Sequence, residues 1–211
     1  MSHRHPLFAR FYARTSLLME RRIGAHRRTL LAGLTGRAIE IGAGNGLNFP
    51  HYPGTVTEVI AVEPEPHLRA LAQALADTTA TVPIKIVDGW ADRLPADDAS
   101  CDAAIASLVL CSVPDPDAAL AEIARVLKPG GQLRFLEHVH HPRPARRRLQ
   151  QTLDTTRAWP WFGGGCHCSR DTLTAIKNAG FTIDHLDILT STDTGLPFPT
   201  APQIRGTATR P

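Results

Sequence analysis

The chain has 211 residues, 43% of them hydrophobic and 20% charged, a balance that excludes disorder throughout and supplies enough apolar side chains for one buried core. Its net charge of +3 rests almost wholly on arginine, 20 residues against three lysines; guanidinium groups favour carboxylate and phosphate partners, but so small an excess does not by itself imply nucleic acid. Four cysteines fit reduced thiols better than a disulfide scaffold, no apolar stretch approaches the roughly 20 residues of a membrane span, and arginines interrupt the N-terminus where a signal peptide needs an apolar core, so a cytoplasmic protein is expected.

Residues 1–36 read as a helical arm, with Leu7, Phe8, Phe11 and Tyr12 at helix-face spacing and Arg4, Arg10, Arg14, Arg21 and Arg22 interleaved. Such an arm packs on the domain, closes over a site as a lid, or touches a membrane surface. From Arg37 the pattern becomes short apolar runs alternating with helix-length segments. Strands are predicted at 38–41, 57–62, 83–87, 102–107 and 132–138, with helices at 66–76 and 116–127. Five such βα units predict a doubly wound α/β domain over 37–211, with the C-terminal strand ends opening on one crevice. Residues 140–168 hold a Pro and Arg cluster and a Trp and Gly segment, an insertion assigned to the acceptor side. A last helix over 170–179, capped by Ser169 and stopped at Gly180, leads to strands at 181–189 and 203–209.

The first apolar strand carries Glu40 and runs into Gly42, Ala43, Gly44, Asn45 and Gly46, glycines at alternate positions where a backbone turns tightly against a ligand. A second apolar run ends in Glu63, 21 residues after Gly42, the spacing at which a carboxylate accepts ribose hydroxyls in nucleotide-binding folds. A dinucleotide fingerprint needs its third glycine at 47, where Leu47 stands. The loop therefore suits a smaller ligand with an adenosine and an amino-acid end, its ribose on Glu63 and its amino-acid portion along the glycines.

These segments, together with Ala61-Val62-Glu63-Pro64, Leu94-Pro95, Ser100-Cys101-Asp102 and Arg125-Val126-Leu127-Lys128-Pro129-Gly130-Gly131, resemble the class I S-adenosylmethionine-dependent methyltransferases, in the branch similar to the ubiquinone and menaquinone biosynthesis enzymes. The resemblance implies a Rossmann-like, mostly parallel seven-stranded sheet with helices on both faces and an antiparallel last strand. It implies S-adenosyl-L-methionine as cofactor, with Glu40 at the methionyl amine, the backbone of Gly42, Ala43, Gly44 and Gly46 along the ligand, and Glu63 and Pro64 at the ribose. Family members often carry an Asp where Trp90 stands; Trp90 is expected either to wall the adenine, with the Ala91 amide at a ring nitrogen, or to be a buried structural residue, and Asp92 to cap the next turn. Ser107 and Leu108 are expected to face the cofactor.

A further resemblance, carried by Leu108-Val109-Leu110-Cys111-Ser112-Val113, Glu137-His138-Val139, Gln150-Gln151, Leu153-Asp154 and Gly165-Cys166, is to the methyltransferase-like thiol S-methyltransferases. Their animal members carry a hydrophobic anchor without counterpart in the opening residues here. Methyl transfer from a sulfonium needs positioning more than an enzyme nucleophile. The expected acceptor is a small molecule: a thiol, a phenol or quinone-like ring, or an amine. His138 is the candidate base, Asp154 and Cys166 enter through the resemblance, and Cys111 reads as a small buried residue. Cys166-His167-Cys168 lacks the second ligand pair of a structural zinc site, so no metal is expected. The cluster at 143–148 is a solvated face or an anionic-substrate site; without stacking aromatics, nucleic acid is not expected as a partner. Methylation of RNA or protein, and cofactor binding without catalysis, are the competing functions.

Overall fold

The computed structural model describes residues 6–211, and their side chains from residue 9 onward, so Arg4 and the side chains of Leu7 and Phe8 lie outside the described part. In chain order the elements are α1 (Pro6–Leu31), β1 (Gly36–Ile41), β2 (Val56–Val62), α2 (Pro66–Thr79), β3 (Ile84–Val87), β4 (Cys101–Ser107), α3 (Pro116–Val126) and β5 (Leu127–His138). They continue with α4 (Pro144–Thr155), α5 (Ala158–Phe162), α6 (Thr172–Asn178), β6 (Thr182–Leu189), α7 (Ser191–Thr194) and β7 (Gln203–Thr209). The seven strands form one sheet in the order β3-β2-β1-β4-β5-β7-β6. Neighbours from β3 to β5 pair parallel, and β7 runs antiparallel between β5 and β6. The expected Rossmann-like sheet with its antiparallel last strand is therefore present.

Period-two alternation divides the core between the two faces of the sheet. Ile39, Ile41, Ile60, Val62, Ala104, Leu133 and Phe135 pack with α3 and α6. Ala38, Val59, Ala61, Ile105 and Leu136 face the other way, onto α1 and α2. The parallel strands end together at Ile41, Val62, Val87, Ser107 and His138, so the loops that follow share one edge of the sheet.

Four expectations are corrected. Only α2 and α3 are full crossover helices among the first five strands. A single 3-10 turn, Phe49–His51, lies between β1 and β2, and residues 88–100 between β3 and β4 contain no helix. β5 starts at Leu127 rather than 132, with a register shift opposite Cys101 and Ala103 that absorbs the Pro-Gly-Gly turn. The cap of α6 is Asp171, which accepts from the Thr174 amide, because the Ser169 hydroxyl is drawn to Asp154 instead. In α1 the inward face is Ala9, Ala13, Ser16, Ile23, Arg27 and Leu30, all buried, whereas Phe11 turns to solvent.

Candidate functional site

The turn after β1 holds Gly42, Gly44 and Gly46 at positive φ. At Gly42 an added Cβ would come within 2.5 Å of Val109 Cγ2, and at Gly46 within 2.6 Å of the Phe49 ring, so two close approaches as well as the left-handed backbone select glycine. The Ala43 amide donates to the Val62 carbonyl, fastening the turn to the end of β2.

Glu63, buried at that end, accepts from the Gly44 amide (2.8 Å) and the Glu65 amide (2.9 Å). Burial pushes its carboxyl above the usual range, and the two amide bonds oppose the shift. Pro64 follows it, and Glu65 caps α2 by accepting from the Leu68 amide. Arg69 donates to the Glu63 carbonyl and pairs with Asp88, drawing residues 88–90 toward the same strand end; Gly89 there sits so close that a Cβ would be 2.8 Å from Val62. Trp90 is 39% exposed, which removes the reading of a buried structural residue and leaves its ring accessible beside the Glu63 strand end, with Ala91 packed beneath. Asp92 caps no turn.

Glu40 is fully buried on β1. It accepts from Asn48 Nδ2 (2.8 Å) and from the Tyr52 hydroxyl (2.8 Å), and burial pushes its pKa up to about 7. Arg27 of α1 closes the network: Nη1 donates to Asn48 Oδ1 and to Ser107 Oγ, and Nε to Glu20. Leu108 leaves β4 at φ +60, a left-handed backbone that costs a leucine of order 1 kcal/mol and turns the chain sharply across the strand ends. Arg27, Asn48 and Tyr52 were not singled out by the sequence. An arginine in register with Ile23 and Leu30 on the apolar face of a helix is the signal that would have found Arg27.

The helix α1 lies directly over this turn. Tyr12 packs on Gly44, Asn45 Nδ2 donates to Ser16 Oγ (3.1 Å), and the cavity left between α1 and Leu108 is about 20 Å³, room for a single water. A larger depression of about 370 Å³ lies at the opposite edge of the sheet, among Gly33, Asp102, Lys128 and Gly131, and holds none of these residues.

On the other side of Leu108 the structure brings together residues that are far apart in sequence. Glu137, fully buried at the end of β5, accepts from the amides of Val109, Leu110 and Cys111 at 2.9–3.1 Å and so fixes the whole loop after β4. His138 Nδ1 lies 3.5 Å from Cys111 Sγ and 3.3 Å from Cys166 Sγ, and all three residues are buried. The Cys166 sulfur against it and burial push the Cys111 thiol up. Asp154 does not join the cluster. Its oxygens accept from the Cys168 amide, the Ser169 amide and the Ser169 hydroxyl, pinning the loop that carries Cys166. His167 bends back to its own loop, Nδ1 2.7 Å from the Gly165 carbonyl. Glu137 stood beside His138 in the resemblance without a role; its role is in the backbone it holds.

Strand order, a glycine turn after β1 and buried carboxylates at the ends of β1 and β2 define an α/β protein that holds a nucleoside-bearing ligand at its strand ends. Residues 39–135 match the methyltransferase domain family model. The chain is 36% identical over 147 residues to thiol S-methyltransferase TMT1B of Rattus norvegicus, covering 68% of this chain and 59% of that one. To thiol S-methyltransferase TMT1A of Homo sapiens it is 30% identical over 186 residues, 83% of this chain and 75% of that one. A solved S-adenosylmethionine-dependent methyltransferase from Thermotoga maritima shares the fold with TM-score 0.70 at 23% identity, over 97% of this chain and 98% of its own. The chain belongs to the class I S-adenosylmethionine-dependent methyltransferases. It spans about three fifths of the length of the rat TMT1B relative.

Proposed function

We propose that the protein transfers the sulfonium methyl group of S-adenosylmethionine to the sulfur of a small-molecule thiol. The observation that carries the cofactor half is the pair of buried carboxylates flanking a turn with no room for a Cβ at Gly42 or Gly46. Glu40 suits the cationic methionyl amine and Glu63 the ribose diol. The amides of Gly42, Ala43, Gly44 and Gly46 lie between them, Pro64 shapes the ribose end, Trp90 and Ala91 wall the adenine, and Ser107 and Leu108 bound the methyl-bearing centre. The thiol half is supported by the relatives, which are thiol S-methyltransferases by name, and by the likeness reaching His138, Asp154 and Cys166 beyond the cofactor domain.

In this reading α1 and residues 140–168 cover the strand-end crevice, exclude water and align acceptor sulfur, methyl carbon and sulfonium sulfur for in-line displacement. His138 and Cys166 stand on the acceptor side, and Asp154 positions the Cys166 loop.

Incubation with methyl-labelled S-adenosylmethionine and a panel of thiols, phenols and amines tests the reading by mass spectrometry. Labelled thioethers are expected. Label on phenols or amines alone would replace the thiol reading, and label on nothing would end it. Calorimetry isolates the cofactor half: Glu63→Ala removes two charge-assisted hydrogen bonds and should weaken S-adenosylmethionine binding by about 3 kcal/mol, over a hundredfold in Kd. Unchanged affinity would remove Glu63 from the ribose.

A further inference from the structure

Cys111, His138 and Cys166 come from the loop after β4, the end of β5 and the loop before α6, and their ligand atoms all lie within 4.8 Å of one another. In a tetrahedral zinc site, with Zn–S near 2.3 Å and Zn–N near 2.0–2.1 Å, the edges between donor atoms come to about 3.5 Å for sulfur to nitrogen. The two sulfur–Nδ1 separations here, 3.5 and 3.3 Å, match that edge. Hydrogen bonding serves this cluster poorly. Two thiols point at one imidazole nitrogen, which can accept from only one, so the other thiol is left to a long contact, Cys111 Sγ with Ser112 Oγ at 3.5 Å or Cys166 Sγ with Cys168 Sγ at 3.7 Å. One dication replacing the two thiol protons would satisfy all three donor atoms and leave the buried set neutral.

The ligands are also held from behind. Glu137 fixes the 109–111 backbone through three amide bonds, and Asp154 fixes the 166–169 loop through two amides and the Ser169 hydroxyl. Two buried carboxylates are thus committed to positioning the loops that present sulfur, the outer support expected of a preorganised metal site. Among the described residues three ligands converge: Cys168 Sγ lies 3.7 Å from Cys166 Sγ but outside the mutually close set. With three protein ligands such a site would keep one position open, the pattern of a catalytic rather than a structural zinc site. Its neighbour is the cofactor turn. Val109, two residues before Cys111, packs on Gly42.

We propose that Cys111, His138 and Cys166 bind a zinc-class cation whose fourth position takes the acceptor thiol, a role that rests on the thiol methyltransferase reading above. Coordination releases the thiol proton to solvent. The bound sulfur then forms the new S–CH3 bond as the sulfonium S–CH3 bond breaks, S-adenosylhomocysteine leaves with the electron pair on its sulfur, and the neutral thioether, a weaker ligand, dissociates.

The test uses the full chain loaded with zinc alone or cobalt alone and then desalted. About one metal per chain is expected by elemental analysis. The cobalt form should show the intense visible bands and the thiolate-to-metal charge transfer of a tetrahedral dithiolate site, and phenylmethanethiol should shift them. Cys166→Ser should lose at least four fifths of the metal, and Cys168→Ser should keep metal and spectrum unchanged. No retained metal, an octahedral cobalt spectrum, bands indifferent to thiol, or a spectrum altered by Cys168→Ser each overturn the proposal. The cobalt spectrum of the unaltered chain answers even where a variant misfolds. Thiol methylation at full rate in metal-free protein would overturn the metal role while leaving the thiol reading standing; a thiol-responsive metal site without methyl transfer would do the reverse.

Discussion

Glu40 combines full burial with two neutral hydrogen-bond donors, and the consequence can be read from pH. Its carboxyl titrates at 4.5 ordinarily and at about 7 in the fold, where burial outweighs the Tyr52 and Asn48 bonds and the Arg27 charge. Folding therefore favours the protonated form. That contribution is present in full below the unfolded value and is lost as pH rises through the folded one. The Tm of the cofactor-free protein should fall between about pH 5 and pH 7, and Glu40→Gln should flatten this slope; a parallel slope in the variant would place the titration elsewhere. On the proposed reading the methionyl ammonium meets this carboxylate, so cofactor binding in the same window should release a proton. Calorimetry in buffers of different ionisation enthalpy measures that release.

At the scale of elements, the loop after β4 depends on β5 for its shape. With Glu137→Gln the carboxamide presents an N–H group to at least one of three buried amides. The cost is about 2 kcal/mol for a donor left unsatisfied. At this chain length that lowers Tm by roughly 4–8 °C, which scanning calorimetry would read. A variant as stable as the parent would mean that the loop holds itself. The strands that such contacts join were legible because their apolar runs alternate between faces; Glu40 was legible as the carboxylate within the first run, and Gly42 and Glu63 because they directly follow the first and second runs. The start of α6 was misread because Ser169 has a competing partner, Asp154, 15 residues earlier, that no local pattern reveals. The sulfur and imidazole cluster was hidden for the same reason on a larger scale: its members are 27 and 28 residues apart and meet only when β5 and the segment after it are placed. The Cys166-His167-Cys168 motif contributes only Cys166 to it.

Across the whole molecule, arginine proves to be as much internal fastening as surface charge. Arg27 joins α1 to Asn48 in the loop after β1 and to the end of β4, Arg125 ties α3 to residues 94–98, and Arg205 pairs with Asp187 between β7 and β6 while reaching His26 of α1. The helix α1 thereby spans the sheet. Toward its C-terminus, Arg22 donates to the Gly195 carbonyl and His26 contacts the Asp193 carbonyl; toward its N-terminus, Ala9 and Ala13 pack on Leu68 of α2, with Tyr12 and Ser16 on the glycine turn. A rod fastened at one end and resting across a binding turn at the other sets a clock. On the lid reading of α1, ligand reaches the glycine turn no faster than the rod lifts, so in stopped-flow mixing the observed association rate should rise with S-adenosylmethionine concentration and then level at the opening rate. An observed rate that climbs linearly to the highest accessible concentration would mean that the turn is reached without moving α1. With a plateau, the exchange of spent cofactor for fresh would share the same ceiling, and turnover would be timed by a helix that takes no part in the chemistry.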